Sequence, residues 1–412
     1  MRTSFFMAVL LIIAFLSKAQ HGRMLSNGQW RAVLERADSN NIIFNFEVKD
    51  SNAKKILYIR NAAERLLVDD IAIKSDSILI RFPFFESQLR AVFVNEDELN
   101  GVWIKRLADK DQVMPFKAFR NQPFRFSAKN ENHGINVSGR WAAIFKGPVN
   151  NDSNYTVGEF SQNGNELTGT FLDPTGDYRF LQGVVDGDSL RLSCFDGSHA
   201  YLFTAKIESN QIISNGKRFS GPVYKESWEA KRDPNAKLED EFSVTKMKPG
   251  ESRLAFRFKD LDGKFVSLDD EKFKDKVVIV QLMGSWCPNC MDETSFLSRF
   301  YDQYRKKGVE IIGLAYERSA DFARSQKSVR AFQQRLNVHY TLLITGVTES
   351  DSLRSEKTLP QLQTIEGFPT SIFIGRDKQV KKILTGFNGP ATGEHYEEEK
   401  NTFYETVEEL LR

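Results

Sequence analysis

Val-Val-Ile-Val-Gln-Leu-Met-Gly-Ser-Trp-Cys-Pro-Asn-Cys-Met-Asp-Glu, residues 277–293, holds two of the three cysteines of a 412-residue chain. An apolar run suited to a buried strand feeds a Cys-x-x-Cys pair, and Asn289 to about Tyr304 reads as a helix. A helix N-terminus carries unsatisfied N–H groups and the positive end of the helix dipole, and both favour thiolate over thiol. Such a position lowers a cysteine pKa from its free value of about 8.5. Cys287, expected at the exposed edge of the turn, is the candidate attacking thiolate. Cys290, one helical turn further and more shielded, is the candidate resolving thiol. Pro288 can begin the helix without losing a useful donor.

Other uses of the pair are weaker. A structural disulfide closing so short a loop constrains the unfolded chain little. Zinc takes four N or S ligands, and Cys194 and the five scattered histidines show no ligand spacing. Redox chemistry accounts best for two thiols at a strand-to-helix junction, and no metal or cofactor is expected.

The length suggests two or three domains. The net charge of +2 comes from nearly balanced totals, so no basic surface points to nucleic acid. Arg2, the apolar run Phe5 to Leu16 and the small residues around Ser17-Lys18-Ala19 read as a signal peptide over 1–19. Twelve apolar residues fall short of the roughly 20 that a membrane span needs. The expected mature protein is exported, soluble and without a stable membrane anchor, in the periplasm or cell envelope. In such an oxidising compartment a chain stabilised by disulfides would carry several pairs, so one close pair reads as chemistry.

The first half contains a duplication. Gly28-Gln29-Trp30-Arg31-Ala32 returns 111 positions later as Gly139-Arg140-Trp141-Ala142-Ala143, and Asp76-Ser77-Ile78-Leu79-Ile80 returns after 112 as Asp188-Ser189-Leu190-Arg191-Leu192. Each unit is read as closing on a tryptophan near basic residues, Trp103 to Arg106 and Trp228 to Arg232. Short alternating runs separated by Asn163-Gly164-Asn165 and Asp186-Gly187-Asp188 predict antiparallel β-structure, barrel- or sandwich-like. The expected organisation is β repeat 1 over 28–106, a connector over 107–137, β repeat 2 over 138–232 and a linker over 233–250. An α/β domain follows over 251–412, where strands alternate with helices. Cys194, in an alternating run, is expected to be a buried thiol outside any disulfide.

Gly367-Phe368-Pro369-Thr370 precedes another strand. X-Pro bonds alone commonly tolerate cis geometry, and a cis-Pro369 would set Phe368 backbone groups beside Cys287 for an extended partner chain to pair with. An ordinary trans-Pro before a strand is the alternative, and the Cys-x-x-Cys pair upstream favours the cis form. Glu293 lies on the Cys290 face of the helix and is either a proton carrier for that thiol or a solvated helix residue. Asp292 is expected to face solvent.

With these residues in hand, 251–412 resembles the TlpA/ResA-like disulfide reductases of the thioredoxin superfamily. The matching residues are Trp286-Cys287-Pro288-Asn289-Cys290, Glu293 and Gly367-Phe368-Pro369-Thr370. Thioredoxin itself has a buried Asp where this chain has Gln281, and the TlpA/ResA group lacks that Asp and carries a Glu at the place of Glu293. The resemblance implies a thioredoxin-like domain and protein-disulfide reduction through Cys287 and Cys290. It further implies Glu293 and Pro369 as catalytic residues and substrate contacts at Trp286 and Phe368. The implied partners are disulfide-containing envelope proteins and an envelope thiol donor.

Two other functions stand beside this one. The β repeats are candidates for a binding module for a peptide, lipid or glycan, with Phe82, Phe84 and Phe85 either lining a site or packed in a core. A thiol peroxidase is the other: peroxiredoxins share the architecture, but they place a hydroxyl residue where this chain has Gly284.

Overall fold

The computed structural model describes residues 23–126, 134–148, 153–238 and 244–412, so the stretch read as a signal peptide lies outside the described residues. Two curved antiparallel sheets and one mixed sheet make up the fold. In the first sheet nine strands follow one another from Gly28 to Arg120, and the first strand, Gly28–Leu34, pairs with both Ile42–Ser51 and Asp111–Arg120. This barrel-like sheet is open between Glu64–Val68 and Asp70–Lys74, its two edges. The second sheet closes: Ser153–Asn163 pairs with Gly139–Lys146 on one side and Glu166–Asp173 on the other, joining the two ends of the meander.

Period-two burial explains both barrels. Trp30, Ala32 and Leu34 point inward in the first, as do Trp141, Ala143 and Phe145 in the second. Ala32 faces Ala118 across the closing pair, and Ala143 faces Ala230. Asp111–Arg120 is therefore the closing strand of the first unit, the counterpart of Tyr224–Arg232. This corrects two expectations. The first repeat runs past 106 into the stretch read as a connector, and Trp228 corresponds to Phe116, which faces Leu34, not to Trp103. Pro115 and the exposed Asp111 and Val113 hide the inward alternation of Met114, Phe116 and Ala118, because a proline within a run argues against a strand.

Aromatic side chains fill the interiors. Phe145, Phe171, Phe203 and Trp228 meet at ring-centroid distances of 5.0 to 6.3 Å in the second barrel, each pair adding about 0.5–1.5 kcal/mol beyond area burial. The first barrel borrows from the second: Phe195 stacks on Phe44 at 4.0 Å and meets Trp103 edge-on at 5.4 Å. Cys194, next to it, is buried and unpaired, and burial pushes its thiol well above the ordinary value.

The C-terminal sheet has the strand order Phe265–Ser267, Arg257–Asp260, Thr341–Ile344, Val309–Ala315, Val277–Met283, Thr370–Ile374, Val380–Thr385. Its helices are α1 (Pro288–Tyr304), α2 (Phe322–Arg335), α3 (Arg354–Thr358) and α4 (Glu394–Leu411). The central strand Val277–Met283 is buried throughout. One face puts Ile279 and Met283 against Leu297 and Phe300 of α1 and Phe403 of α4, and the other puts Val280 and Leu282 against Phe273, Leu359 and Leu362. By the same period Gln281 faces α1. Among the described residues, no helix is long and apolar enough to cross a membrane.

The three units interlock. Phe84 and Phe85 leave the first barrel for the core of the C-terminal domain, where Phe84 meets Phe332 at 5.8 Å, while Phe82 packs on Phe195. Arg324 holds both Glu86 carboxylate oxygens at 3.1 and 2.7 Å and donates to the Leu107 and Ala108 carbonyls. At the centre lies Arg179, buried in the second barrel. It pairs with Glu64 of the first barrel and Asp292 of α1, with Asp196 at 3.9 Å. Asp292 was expected to face solvent; the buried guanidinium draws it inward instead. Burial alone would lower the pKa of Arg179, but the Glu64, Asp196 and Asp177 carboxylates hold it above the ordinary value. Replacing Arg179 by Gln leaves buried carboxylates unmatched and should cost about 3–5 kcal/mol. Chemical denaturation of the oxidised protein measures this, and an unchanged midpoint would contradict the role given to Arg179.

Candidate redox site

The strand Val277–Met283 ends in the loop Gly284-Ser285-Trp286, and α1 begins at once. Cys287 is the N-cap of α1 in extended backbone, and Pro288 occupies the first turn. The Cys287 sulfur accepts the Cys290 backbone N–H at 3.1 Å. The two cysteines form a disulfide with their Cα atoms 5.2 Å apart. The helix N-terminus therefore addresses the sulfur read as the nucleophile.

The cis-proline loop lies where the sequence reading put it. Phe368–Pro369 is a cis peptide bond, and the Phe368 carbonyl oxygen is 3.7 Å from Cys287 Sγ. Trp286 and Phe368 meet edge-on at 5.9 Å, and Phe368 also touches Tyr316 at 5.2 Å. Both residues proposed for substrate contact therefore sit side by side at the disulfide and remain half-buried.

Glu293 is fully buried, which rules out a solvated helix residue. It accepts from Gln281 Nε2 at 2.6 Å and from Ser371 Oγ at 2.8 Å, so the central strand and the strand after Pro369 both hold it. Burial pushes its carboxyl up to about 8, against the opposing pull of those two hydrogen bonds. Gln281 stands where thioredoxin has its Asp, and here it carries no charge but orients the Glu supplied by α1.

Cys287 is only 5 % exposed and Cys290 not at all. The exposed edge expected for Cys287 is absent because the second barrel packs over the loop: Ser198 Oγ donates to the Trp286 carbonyl at 3.2 Å, and Asn289 donates to the Asp177 carbonyl at 3.2 Å. Lys105 of the first barrel donates to the Ser198 carbonyl at 2.6 Å, and burial pulls its amine down to about 7.

Sequence reasoning missed Glu317. Its carboxyl accepts from Ser285 N at 2.8 Å and Ser285 Oγ at 2.7 Å, fixing the loop two residues before Cys287, and burial raises it to about 7. It follows the end of Val309–Ala315, the parallel neighbour of the Cys-bearing strand. The signal available was position, since ligand and catalytic groups gather past the carboxyl ends of parallel strands.

Residues 248–400 match the Redoxin family. A thiol-disulfide oxidoreductase ResA from Bacillus cereus is 31% identical over 140 residues, 34% of this chain and 71% of that protein. A chloroplastic peroxiredoxin Q from Suaeda salsa is 33% identical over 132 residues, but the chain spans 52% of that protein. Among solved structures, the thioredoxin domain of a thiol-disulfide oxidoreductase from Bacteroides vulgatus aligns at 23% identity, covering 39% of this chain and 99% of that one, with a TM-score of 0.29.

The raised value of Glu293 has a thermodynamic consequence. A carboxyl that holds its proton more tightly when folded disfavours the folded state as pH climbs from about 4.5 to about 8, by up to about 1.4 kcal/mol per pH unit. Glu293→Gln in the oxidised protein should therefore gain stability relative to wild type across that window and gain nothing at its acid end. Denaturant midpoints taken at several pH values test this; parallel curves for the two proteins would exclude a buried, proton-holding Glu293.

Proposed function

Because the chain belongs to the ResA-like thiol–disulfide oxidoreductases of the thioredoxin superfamily, we propose that it is an exported reductant of protein disulfides in the periplasm or cell envelope. The observation that carries this reading is the Cys287–Cys290 disulfide at the start of α1, with the Phe368 carbonyl 3.7 Å from Cys287 Sγ.

In the reduced protein the Cys287 thiolate attacks one sulfur of a client disulfide. A mixed disulfide forms, and the other client sulfur leaves as a thiolate and takes a proton from water. Cys290 then gives its proton to the Glu293 carboxylate and attacks Cys287 Sγ, closing the ring and freeing the second client thiolate. That sequence leaves Glu293 protonated in the oxidised protein. A carboxyl raised to about 8 in the disulfide form is in that state at neutral pH. An envelope thiol donor would reverse the steps on the enzyme, with Glu293 returning the proton to Cys290. Phe368 offers its backbone to the client chain, Pro369 positions it, and Trp286 packs beside it.

Disulfide exchange fits better than peroxide reduction. Gly284 has no hydroxyl to offer a peroxide, and the Ser285 hydroxyl is already committed to Glu317. A ligand enclosed within the barrels is also disfavoured, since aromatic rings fill the second interior.

Insulin reduction with dithiothreitol is the direct test. Cys287→Ser should abolish catalysis, and full activity in that variant would defeat the assignment. Cys290→Ser should accumulate mixed disulfides with envelope proteins in cells; recovery of none would count against protein clients.

A further inference from the structure

This inference rests on the exchange reading above and concerns which disulfides the site admits. A protein client needs a line of approach to Cys287 and a strip of groove beside Phe368 and Pro369 in which its backbone can pair. A small disulfide needs only the sulfur.

Part of that strip holds this chain's own backbone. The turn Asp173-Pro174-Thr175-Gly176-Asp177 follows the strand Glu166–Asp173 of the second barrel and lies against three segments around the disulfide. A side chain grafted onto Gly367, two residues before Pro369, would meet Thr175 Cγ2 at 2.7 Å. One grafted onto Gly386 would meet the Thr175 carbonyl carbon at 2.8 Å and the Pro174 carbonyl oxygen at 3.0 Å. The absence of side chains at both positions makes room for the turn. Asn289, between the two cysteines, donates to the Asp177 carbonyl at 3.2 Å, and the Gly389 N–H donates to the Asp177 carboxylate at 2.8 Å. Asp173 holds the turn in shape by accepting from Thr175 N at 2.7 Å and Thr175 Oγ1 at 2.6 Å.

We infer that the Asp173–Asp177 turn is the specificity-determining element of the site: it occupies the client strip beside Phe368 and Pro369, so a protein disulfide reacts only when the turn has moved off. Pro174 at the tip is exposed, while Gly176 and Asp177 are buried and pair with Asp173 and Leu172, so the turn lifts as a short hairpin whose opening breaks the Asn289 and Gly389 hydrogen bonds. Arg179, anchored to Asp292, marks where the movable part ends. The apparent affinity for a protein client falls in proportion to the fraction of molecules with the turn displaced.

The test uses the full chain carrying Thr175→Lys, whose long charged side chain does not fit between Gly367 and Gly386. Rates are measured for reduction of insulin and of dithiobis(nitrobenzoate), a small disulfide. Insulin reduction should rise by about tenfold, the gain expected if the turn is displaced in about a tenth of wild-type molecules, while the small disulfide should react at nearly the wild-type rate. Equal effects on both substrates, or none on either, overturn the proposal. A second measurement needs no change at the turn. Linking a cysteine-containing peptide to Cys287 of the Cys290→Ser protein should speed hydrogen exchange at residues 174–178 and at Gly389, and unchanged exchange overturns the proposal as well. Failure of the wild-type chain to reduce either substrate would instead sink the exchange reading itself.

Discussion

A guanidinium withdrawn from water must be matched by carboxylates, and Arg179 finds them on three different parts of the chain: Glu64 in the first barrel, Asp196 in its own, and Asp292 one residue short of Glu293 on α1. Separating any of these units would leave a buried charge without its partner, which is far costlier than the pairing is favourable. The relative placement of barrels and redox domain follows from this constraint. With Arg179 fixed, the turn before it lies against Asn289, Gly367 and Gly386, and the loop at Ser198 reaches Trp286. The phenylalanines Phe84 and Phe85, seated in the C-terminal core, lock the other side.

Two buried carboxyls flank the disulfide, Glu293 behind α1 and Glu317 beneath the preceding loop, and burial raises both. Charged carboxylates near the sulfurs would oppose the helix dipole and raise the thiol pKa values. In the oxidised protein burial keeps Glu293 protonated at neutral pH, which removes that opposition there and leaves a proton to return to Cys290. Gln281 and Ser371 give Glu293 neutral partners that orient it without stabilising its charge as strongly as a cation would. The site thus reconciles an electropositive helix end with acid groups nearby.

Much of the C-terminal domain was legible because its signals are local. Val277 to Met283 is apolar at nearly every position, Pro288 marks a helix start, and Phe368-Pro369 marks the loop facing it. The duplication was legible in the Gly-x-Trp openings, but the end of the first unit was not. Pro115 broke the pattern of a strand whose inward residues Met114, Phe116 and Ala118 are evident once Gly28–Leu34 is seen beside it. Trp103, the more conspicuous residue, drew the boundary to the wrong strand.

By itself the sequence determined the chemistry: two thiols at a strand-to-helix junction, a proline loop, and a glutamate one helical turn beyond the second cysteine. Those assignments depend on residues close together along the chain, where periodicity and helix geometry suffice. Only the tertiary structure decided how open that chemistry is to its surroundings. Burial of Cys287, the inward turn of Asp292, the Glu317 contact to Ser285 and the turn resting on Gly367 all arise between residues far apart in the chain. No spacing rule encodes such meetings, because they are set by which buried charges and apolar faces find one another when separate units pack.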